Sequence, residues 1–552
     1  MSKKRRNRGR SGHGNKRPKA SGSAAGSGSS GGGGGTNASS SSSSGGLSVS
    51  VGDAINAVLL EREGAASTAP TSRPKAFGAA LFKALVRGSV ISRTPSSSAA
   101  NGHKSDMSVD RFFKGFWGRK PVAIRPTRAI HELLACGKED VRGWFKSQGL
   151  LYGRDLDVTN YIDGERHTYN DDGVAATAEK ILDESIFGQG KSLRILRPQQ
   201  YSRPCWRMLT CLEAYFGRGG GSNLYLTPGS NQGFAGHYDD IEAVLVQIEG
   251  RKAWTVYREY AGQDPDAMSL FPKNPRFSSG NFTAEQLEHL DVAFNVTLEP
   301  GDVLYLPRGA VHHARTPETD EYSLHVTFSI GQMATFADLL IEALPRALEL
   351  ALDETQPESD SVLRESLPIG FQDYIGVSKS DLEDNPDRQA FLEKAAKMFT
   401  RVLPYLPIDA AADFMDRKFL HDRHSLIMVA PPHGKSDTKA KAKSDDDDSD
   451  TEDDDAVAAK NKRRFLLRVE GAQNLSVEGN AVLLYHSQNN TRVFHEADPA
   501  GIEFGFEDTP AIEELMNAVS KPVAFADIPH DSDGDRERVV SVLLDQKVIV
   551  EV

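Results

Sequence analysis

Short runs of alternating apolar and polar residues fill the middle of the chain, from about residue 121 to 330. Separated by Gly, Pro and Asn, such runs predict an antiparallel barrel or sandwich, with strands at 223–227, 243–248, 253–257, 302–306 and 323–330. The last run places apolar residues on one face and polar residues on the other: Leu324, Val326, Phe328 and Ile330 against Ser323, His325, Thr327 and Ser329. A polar row facing inward suits a barrel that holds a ligand.

Helical spacing flanks this β-rich segment on both sides. Before it, apolar residues at Phe77, Leu81 and Leu85 predict a helix within residues 76–90. After Gly331 the apolar positions recur every four residues, which predicts an α-helical domain over 331–430; they are Phe336, Leu340, Leu344, Leu348 and Leu352.

The last segment, 463–552, combines short strands with a helix. Strands are expected at 481–485 and 491–495. The helix is expected to begin with Thr509 as its N-cap and Pro510 at its first position. This order fits a small winged-helix-like unit.

Two segments lack apolar periodicity, and we expect both to be disordered. Residues 1–75 are rich in Gly, Ser and Ala and contain the basic clusters Lys3–Arg10 and Lys16–Lys19. Residues 431–462 form a charged insertion that includes the acidic run Asp445–Asp455. The basic clusters predict a nuclear or nucleolar address. No apolar stretch is long enough to cross a membrane, and three cysteines without metal-type spacing predict buried, reduced thiols.

The residues Gly236-His237-Tyr238-Asp239 carry the candidate chemistry. In an extended strand His237 and Asp239 point to the same face, so both can hold one ion. The alternation favours Asp239 over Asp240, which we expect outside the ligand set. A third ligand arrives from a later strand end, and the residues alone leave His312 and His313 open. Two imidazoles and one carboxylate, with half the coordination sphere open, are typical of non-haem Fe(II) oxygenases.

Such an oxygenase takes electrons from a keto acid, whose far carboxylate needs a fixed cation inside the barrel. Lys252 enters the strand after the His-x-Asp strand and is the candidate; the alternative is an exposed lysine at a strand end. Asn223 and Tyr225 share one strand face, and Thr327 lies on the polar row. These three could hydrogen-bond the cosubstrate, or they could be ordinary polar residues of the core.

Several ordered phrases resemble the JmjC-type oxygenases that depend on Fe(II) and 2-oxoglutarate, and within them the ribosomal oxygenases. The phrases are Asp110-Arg111-Phe112-Phe113, Asp157-Val158-Thr159-Asn160-Tyr161, residues 221–228, residues 232–240, residues 298–312, residues 370–376 and residues 490–495. The similarity runs from about Phe77 to the C-terminus. The basic N-terminus is similar to that of the nucleolar histidyl-hydroxylase branch. Two local departures are the acidic insertion and Gly236, where the family has a proline.

The resemblance implies a mainly β catalytic domain of the double-stranded β-helix (cupin or JmjC) type over 76–330. It further implies that 331–430 is a dimerisation domain and that 463–552 is a winged helix. The iron ligands would be His237, Asp239 and His312, which settles the choice against His313. The cosubstrate contacts would be Lys252, Asn223, Tyr225 and Thr327.

The implied reaction hydroxylates a histidine of a large-subunit ribosomal protein, consuming O2 and 2-oxoglutarate and yielding succinate and carbon dioxide. An alternative substrate is a methylated histone H3 tail, demethylated at lysine by the same iron chemistry. A catalytically silent scaffold is a second alternative, and the complete iron and keto-acid set argues against it. A homodimer located in the nucleus, and there in the nucleolus, is expected. The winged helix is not basic, so we expect no direct nucleic-acid binding through it.

Overall fold

The computed structural model describes residues 74–92, 106–134, 136–318, 322–424, 460–488, 490 and 500–552. The predicted tail up to residue 73, the acidic run Asp445–Asp455 and the predicted strand 491–495 lie outside the described residues.

Thirteen strands build the catalytic domain. They are β1 (Gly88–Val90), β2 (Asp106–Met107), β3 (Val122–Pro126), β4 (Leu156–Ile162), β5 (Glu165–Thr168), β6 (Ser192–Leu196), β7 (Gly220–Pro228), β8 (Glu242–Gly250), β9 (Lys252–Tyr257), β10 (Val292–Leu298), β11 (Val303–Leu306), β12 (His312–Arg315) and β13 (Tyr322–Ile330). Ten of them form one antiparallel sheet in the order β2-β1-β3-β11-β8-β13-β7-β6-β4-β5, and β10-β9-β12 form a second. The sequence therefore predicted the β-rich architecture correctly.

Helices cover the outer face of the large sheet or link its strands. They are α1 (Pro74–Val86), α2 (Val109–Gly115), α3 (Lys138–Gln148), a π-helix (Glu179–Gly188), α4 (Arg203–Phe216), α5 (Pro265–Leu270) and α6 (Ala284–Leu287). The predicted apolar face of β13 packs into the main core together with α1 and α4: Leu324, Val326, Phe328 and Ile330 lie with Leu81, Phe82, Met208 and Leu212. The predicted alternation of β13 is thus confirmed, and its polar row faces the other way.

The two sheets face each other across a space with an apolar side and a polar side. On the apolar side, Leu245 and Leu304 of the large sheet cluster with Trp254, Val256 and Phe294 of the small one. On the polar side, register pairs His325 with Tyr225, Thr327 with Asn223 and Tyr225 with Arg194. Paired residues share a face of the sheet, so these side chains line one continuous inner surface.

The helical region consists of α7 (Phe336–Leu352), α8 (Pro386–Val402) and α9 (Ile408–Asp422). Helix α7 buries a row of small residues, Ala343, Ala347 and Ala351. The predicted apolar stripe lies on another face, where Phe336 is 84%, Leu340 38% and Leu348 44% exposed. Helix α7 therefore packs within its own chain through alanines and leaves its larger apolar side chains at the surface.

The C-terminal unit contains β14 (Arg464–Leu467), β15 (Gln473–Glu478), β16 (Ala481–His486), β17 (Ala500–Phe504), α10 (Thr509–Asn517), β18 (Val523–Ala524), α11 (Asp533–Asp545) and β19 (Ile549–Glu551). Its strands form two small sheets, β18-β14-β19 and β15-β16-β17. The predicted N-cap was wrong by one residue. A 3-10 turn, Phe506–Asp508, leads into α10, so Thr509 already has helical dihedral angles and Asp508 occupies the cap position.

A buried junction joins the end of α9 to both neighbouring units. The Glu213 carboxylate in α4 accepts hydrogen bonds from the backbone N–H of His424 (3.1 Å) and from its Nδ1 (2.9 Å). From the other side, the Asn490 amide donates to the carbonyl oxygens of Leu420 (2.7 Å) and Arg423 (2.8 Å). The last turn of α9 thus depends on residues far away in the sequence.

Cys136, Cys205 and Cys211 are all buried, as the sequence predicted. Among the described residues, we find no helix with the length and apolar character that crossing a membrane requires.

Candidate metal centre and cosubstrate pocket

The backbones of His237 and His312 pair directly with each other. The N–H of His237 donates to the carbonyl oxygen of His312 (3.1 Å), and the N–H of His312 donates back to that of His237 (2.9 Å). This antiparallel bridge joins the segment before β8 to the start of β12. It sets the two imidazole rings side by side, with centroids 4.5 Å apart.

Asp239 completes a group of three potential metal ligands. One ligand atom from each of His237, Asp239 and His312 lies within 4.8 Å of the other two. The distance from His237 Nε2 to Asp239 Oδ1 is 3.9 Å. The side chains of His237 and Asp239 are 28% and 35% exposed, whereas His312 is buried. The cluster therefore has a protein side and an open side, as a catalytic metal site requires.

Each imidazole is oriented by its own backbone. Nδ1 of His237 lies 3.0 Å from the carbonyl oxygen of Ala235, and Nδ1 of His312 lies 2.8 Å from that of Ala310. A carbonyl can only accept, so each Nδ1 carries the proton and each Nε2 keeps a free lone pair. Burial and the neighbouring His237 lower the pKa of His312 to about 4, so its ring is neutral at physiological pH. Two imidazoles and a carboxylate fit a divalent transition-metal ion such as Fe(II).

The two neighbours that the sequence had to weigh lie outside this cluster. His313 points to the opposite face of β12, where it lines a concavity of about 310 Å³ with Thr255 and Asn295. The Asp240 carboxylate is buried and accepts hydrogen bonds from Ser278 Oγ (2.7 Å) and Gln332 Nε2 (2.9 Å). Neither His313 nor Asp240 therefore belongs to the group of potential metal ligands.

Lys252 lies inside the barrel at the start of β9, only 3% exposed. Its Nζ donates to Thr316 Oγ1 at 3.3 Å, and no described carboxylate offsets its charge. Burial alone lowers the pKa of Lys252 to about 7. A buried ammonium without a counter-ion is costly, so this position favours a ligand that brings a carboxylate. The alternative of an exposed strand-end lysine does not hold.

The three polar candidates share the inner surface of the large sheet. Asn223 and Tyr225 lie on β7, half-buried, and Thr327 on β13 pairs with Asn223. Tyr225 is also within electrostatic range of Asp239, and burial raises the pKa of its hydroxyl. The structure therefore brings these three residues to the same inner surface, while their contacts with a cosubstrate stay a prediction.

His325 belongs to the same pocket, although sequence reasoning assigns it no role. Its ring stacks on Tyr225 with centroids 4.9 Å apart, and its Nδ1 is buried without a hydrogen-bond partner. Burial and the charge of Lys252 keep the pKa of His325 well below its usual range. The histidine is visible in the polar row of the sequence, but only the register of β13 against β7 places it beside Tyr225.

Comparisons with known proteins identify the families and relatives to which this chain is similar. The JmjC domain family matches residues 194–339, and the C-terminal winged helix domain of ribosomal oxygenase 1 matches 431–551. Ribosomal oxygenase 1 of Rattus norvegicus is 33% identical over 441 residues, which cover 80% of this chain and 70% of that protein. The bifunctional lysine-specific demethylase and histidyl-hydroxylase NO66 of Dictyostelium discoideum is 31% identical over 462 residues, 83% of each chain. The X-ray structure of E. coli ycfD covers 80% of this chain and 98% of its own at 14% identity, with a TM-score of 0.42.

Removal of one ligand should abolish metal binding and leave the fold intact. His237→Ala and Asp239→Ala should each weaken Mn(II) binding by about 100-fold or more, since loss of an outer partner of a ligand already costs 10–100-fold. Isothermal titration calorimetry with Mn(II) measures this directly. His313→Ala is the matched control, because His313 lies on the other face of β12 and should leave the affinity unchanged. Equal weakening by His313→Ala would contradict the assignment.

Proposed function

The chain belongs to the family of JmjC-domain ribosomal oxygenases, and we propose that it hydroxylates a histidine side chain of a large-subunit ribosomal protein. It is an Fe(II)- and 2-oxoglutarate-dependent oxygenase. One observation carries the proposal. A complete His-Asp-His ligand group and a buried lysine without a counter-ion open into the same barrel.

The residues divide the work of binding. His237, Asp239 and His312 would hold the iron through two Nε2 atoms and one carboxylate oxygen. When bound, iron with 2-oxoglutarate and O2 supplies the oxidising chemistry, and succinate and carbon dioxide are the co-products. Lys252 would hold the far carboxylate of the keto acid, because its ammonium is buried and offset by no carboxylate.

The wall opposite the polar row keeps water from the reacting atoms. Leu245, Leu304 and Phe294 form part of an apolar cluster that also includes Trp254. The ring of Trp254 lies 5.8 Å from that of His312, so this cluster reaches the metal ligands. A dry wall beside a polar, half-open face allows the target side chain to enter from one direction only.

We propose that the enzyme forms a homodimer through its helical domain. The support is the apolar stripe of α7, in which Phe336, Leu340 and Leu348 are exposed in the described chain. Further exposed apolar side chains occur in the same domain, at Leu392 (49%), Phe399 (55%) and Leu403 (43%). Exposed apolar surface of this extent is typical of a subunit interface.

We also propose a nuclear, nucleolar location and keep a second substrate in view. The location is supported by the basic clusters Lys3–Arg10 and Lys16–Lys19. The second substrate is a methylated histone H3 tail, because relatives of this chain are named as both lysine demethylases and histidyl-hydroxylases.

Mass spectrometry tests the reaction itself. Purified protein with Fe(II), O2 and 2-oxoglutarate should add one oxygen to a histidine in peptides of large-subunit ribosomal proteins. His237→Ala should give no product, whereas His313→Ala should remain active. Loss of methyl groups from histone H3 lysine, with no oxidised histidine, would assign the enzyme to chromatin. No change in any peptide would overturn the proposal.

Binding of 2-oxoglutarate should weaken as the pH rises above about 7. Burial lowers the pKa of Lys252 to about 7 in the free protein, and a bound carboxylate raises that pKa. Affinity is therefore full below this pH and falls by up to about tenfold per pH unit above it. Calorimetry on the Mn(II)-saturated protein measures the dissociation constant. Lys252→Arg remains charged throughout this range, so its affinity for 2-oxoglutarate should not change with pH. If the affinity of this variant falls with pH as in the wild type, the pH dependence comes from another group.

Charge placed on the stripe of α7 should separate the dimer. Phe336→Asp and Leu348→Asp would put carboxylates into an apolar interface, where desolvation penalises them. Light scattering coupled to size-exclusion chromatography should then report a monomer. Arg346→Glu, on an exposed position off the stripe, is the control and should stay dimeric. A monomeric wild-type protein would contradict the proposed dimer.

A further inference from the structure

We propose that Arg166 and Phe234 form a substrate subsite beside the metal centre, in which the Arg166 guanidinium binds an oxygen acceptor of the polypeptide that carries the target residue. The inference rests on the proposed function and specifies what the enzyme recognises next to the reacting side chain.

Register places Arg166 on the same inner surface as the pocket. Arg166 on β5 pairs with Tyr161 on β4. Asp157 lies four residues before Tyr161 and therefore on the same face of β4. Asp157 pairs with Arg194, which in turn pairs with Tyr225. Successive pairs share one face of the sheet. The inner row therefore continues from the cosubstrate residues out to Arg166.

Phe234 connects Arg166 to the metal centre. Cζ of Arg166 lies 4.4 Å from the centroid of the Phe234 ring. On its other side, Phe234 contacts Tyr225 in an edge-to-face arrangement, with the two ring centroids 5.4 Å apart. The charges of Asp239 and Arg166 both act on the pKa of the Tyr225 hydroxyl. Phe234 also precedes the ligand His237 by three residues, so the subsite is within a few side chains of the iron position.

Arg166 has unused hydrogen-bond donors, although the Asp157 carboxylate attracts it at longer range. Its Nε is buried with no hydrogen-bond partner, and no described carboxylate bonds to its guanidinium. Burial and the nearby charge of Arg194 lower the pKa of Arg166. Its neighbour Arg194 differs, since its Nε donates to the Asp157 carboxylate at 2.9 Å. Of this pair, Arg166 retains unused donors.

The unused donors define the ligand chemistry. A guanidinium has five N–H donors in one plane and accepts nothing, so its partner must be an oxygen acceptor. Its position over the Phe234 ring satisfies one face by a cation–π contact and leaves the edge for hydrogen bonds. Two groups of a polypeptide have this chemistry, an acidic side chain and a main-chain carbonyl.

The position of Arg166 favours a polypeptide over the keto acid. Lys252 is almost fully buried, whereas Arg166 is half-buried on β5, the last strand of the large sheet. An edge strand leaves backbone groups open to an extended chain. A macromolecule can therefore reach Arg166, while 2-oxoglutarate already has its cation deeper in the barrel.

The decisive experiment measures peptide binding and turnover separately in Arg166→Ala, Arg166→Lys and the control His167→Ala. His167 is the exposed neighbour of Arg166 on β5, where alternation turns its side chain to the other face. Fluorescence anisotropy of a labelled substrate peptide is recorded on Mn(II)-loaded protein, which does not turn over. Mn(II) affinity and thermal unfolding confirm that each variant is folded.

Arg166→Ala should weaken peptide binding by about 10- to 100-fold, as expected for a charged hydrogen bond. Arg166→Lys should recover part of the loss, because it keeps the charge but not the planar fork. The KM for 2-oxoglutarate and the affinity of His167→Ala for the peptide should stay at the wild-type values. Unchanged peptide binding by Arg166→Ala would overturn the subsite while leaving the oxygenase assignment in place.

A second set of peptides separates the two acceptors. Each acidic residue near the target histidine is replaced by its amide. If the penalty of Arg166→Ala disappears, the acceptor is a carboxylate; if it persists, the acceptor is a main-chain carbonyl. A wild-type protein that modifies none of the peptides would instead refute the proposed function, and the subsite with it.

Discussion

Two reciprocal backbone hydrogen bonds between His237 and His312 set the geometry on which the whole site depends. They join a segment that leads into the large sheet with a strand of the small one, so the gap between the sheets is closed at this point. The same bonds fix both backbones, and each backbone then orients its own ring through the carbonyl two residues earlier. Ligand position and ligand tautomer thus follow from main-chain bonding, which side-chain substitutions nearby disturb little.

Around this bridge the interior of the barrel has an apolar side and a polar side. The apolar cluster that includes Trp254 excludes water. The row through Tyr225 and His325 instead presents polar groups, and Nδ1 of His325 has no hydrogen-bond partner. Lys252 lies between the two regimes, buried yet uncompensated. An interior with orphaned donors is unfavourable in the free protein, and it becomes favourable when a dicarboxylate and a metal ion supply the missing partners. Under the proposed function, the carboxylate of a bound keto acid would supply the acceptor that Lys252 lacks.

The sequence predicted those features that depend on periodicity. Alternation along β13 identified both its core face and its polar row, and the His-x-Asp spacing placed two candidate ligands on one face. Features that depend on a distant partner were out of reach. The four-residue stripe of α7 identified a helix but gave no sign that Ala343 and Ala347, rather than the leucines, face the rest of the chain. Likewise, the location of His325 beside Tyr225 follows from strand register, which no local pattern encodes.

The junction at the end of α9 has a consequence for how the chain is made. Glu213 bonds to His424, which is made 211 positions later. The carbonyl oxygens of Leu420 and Arg423 accept from Asn490, which follows them by 70 and 67 positions. In a chain leaving the ribosome, the Glu213 carboxylate can bond the N–H of Gly220 within the barrel domain, but it lacks His424 until α9 has been made. Contacts this distant are formed late. Asn490 must be made before the carbonyl oxygens at the end of α9 find their donor, so the last turn of the helical region depends on the C-terminal unit to complete its hydrogen bonds.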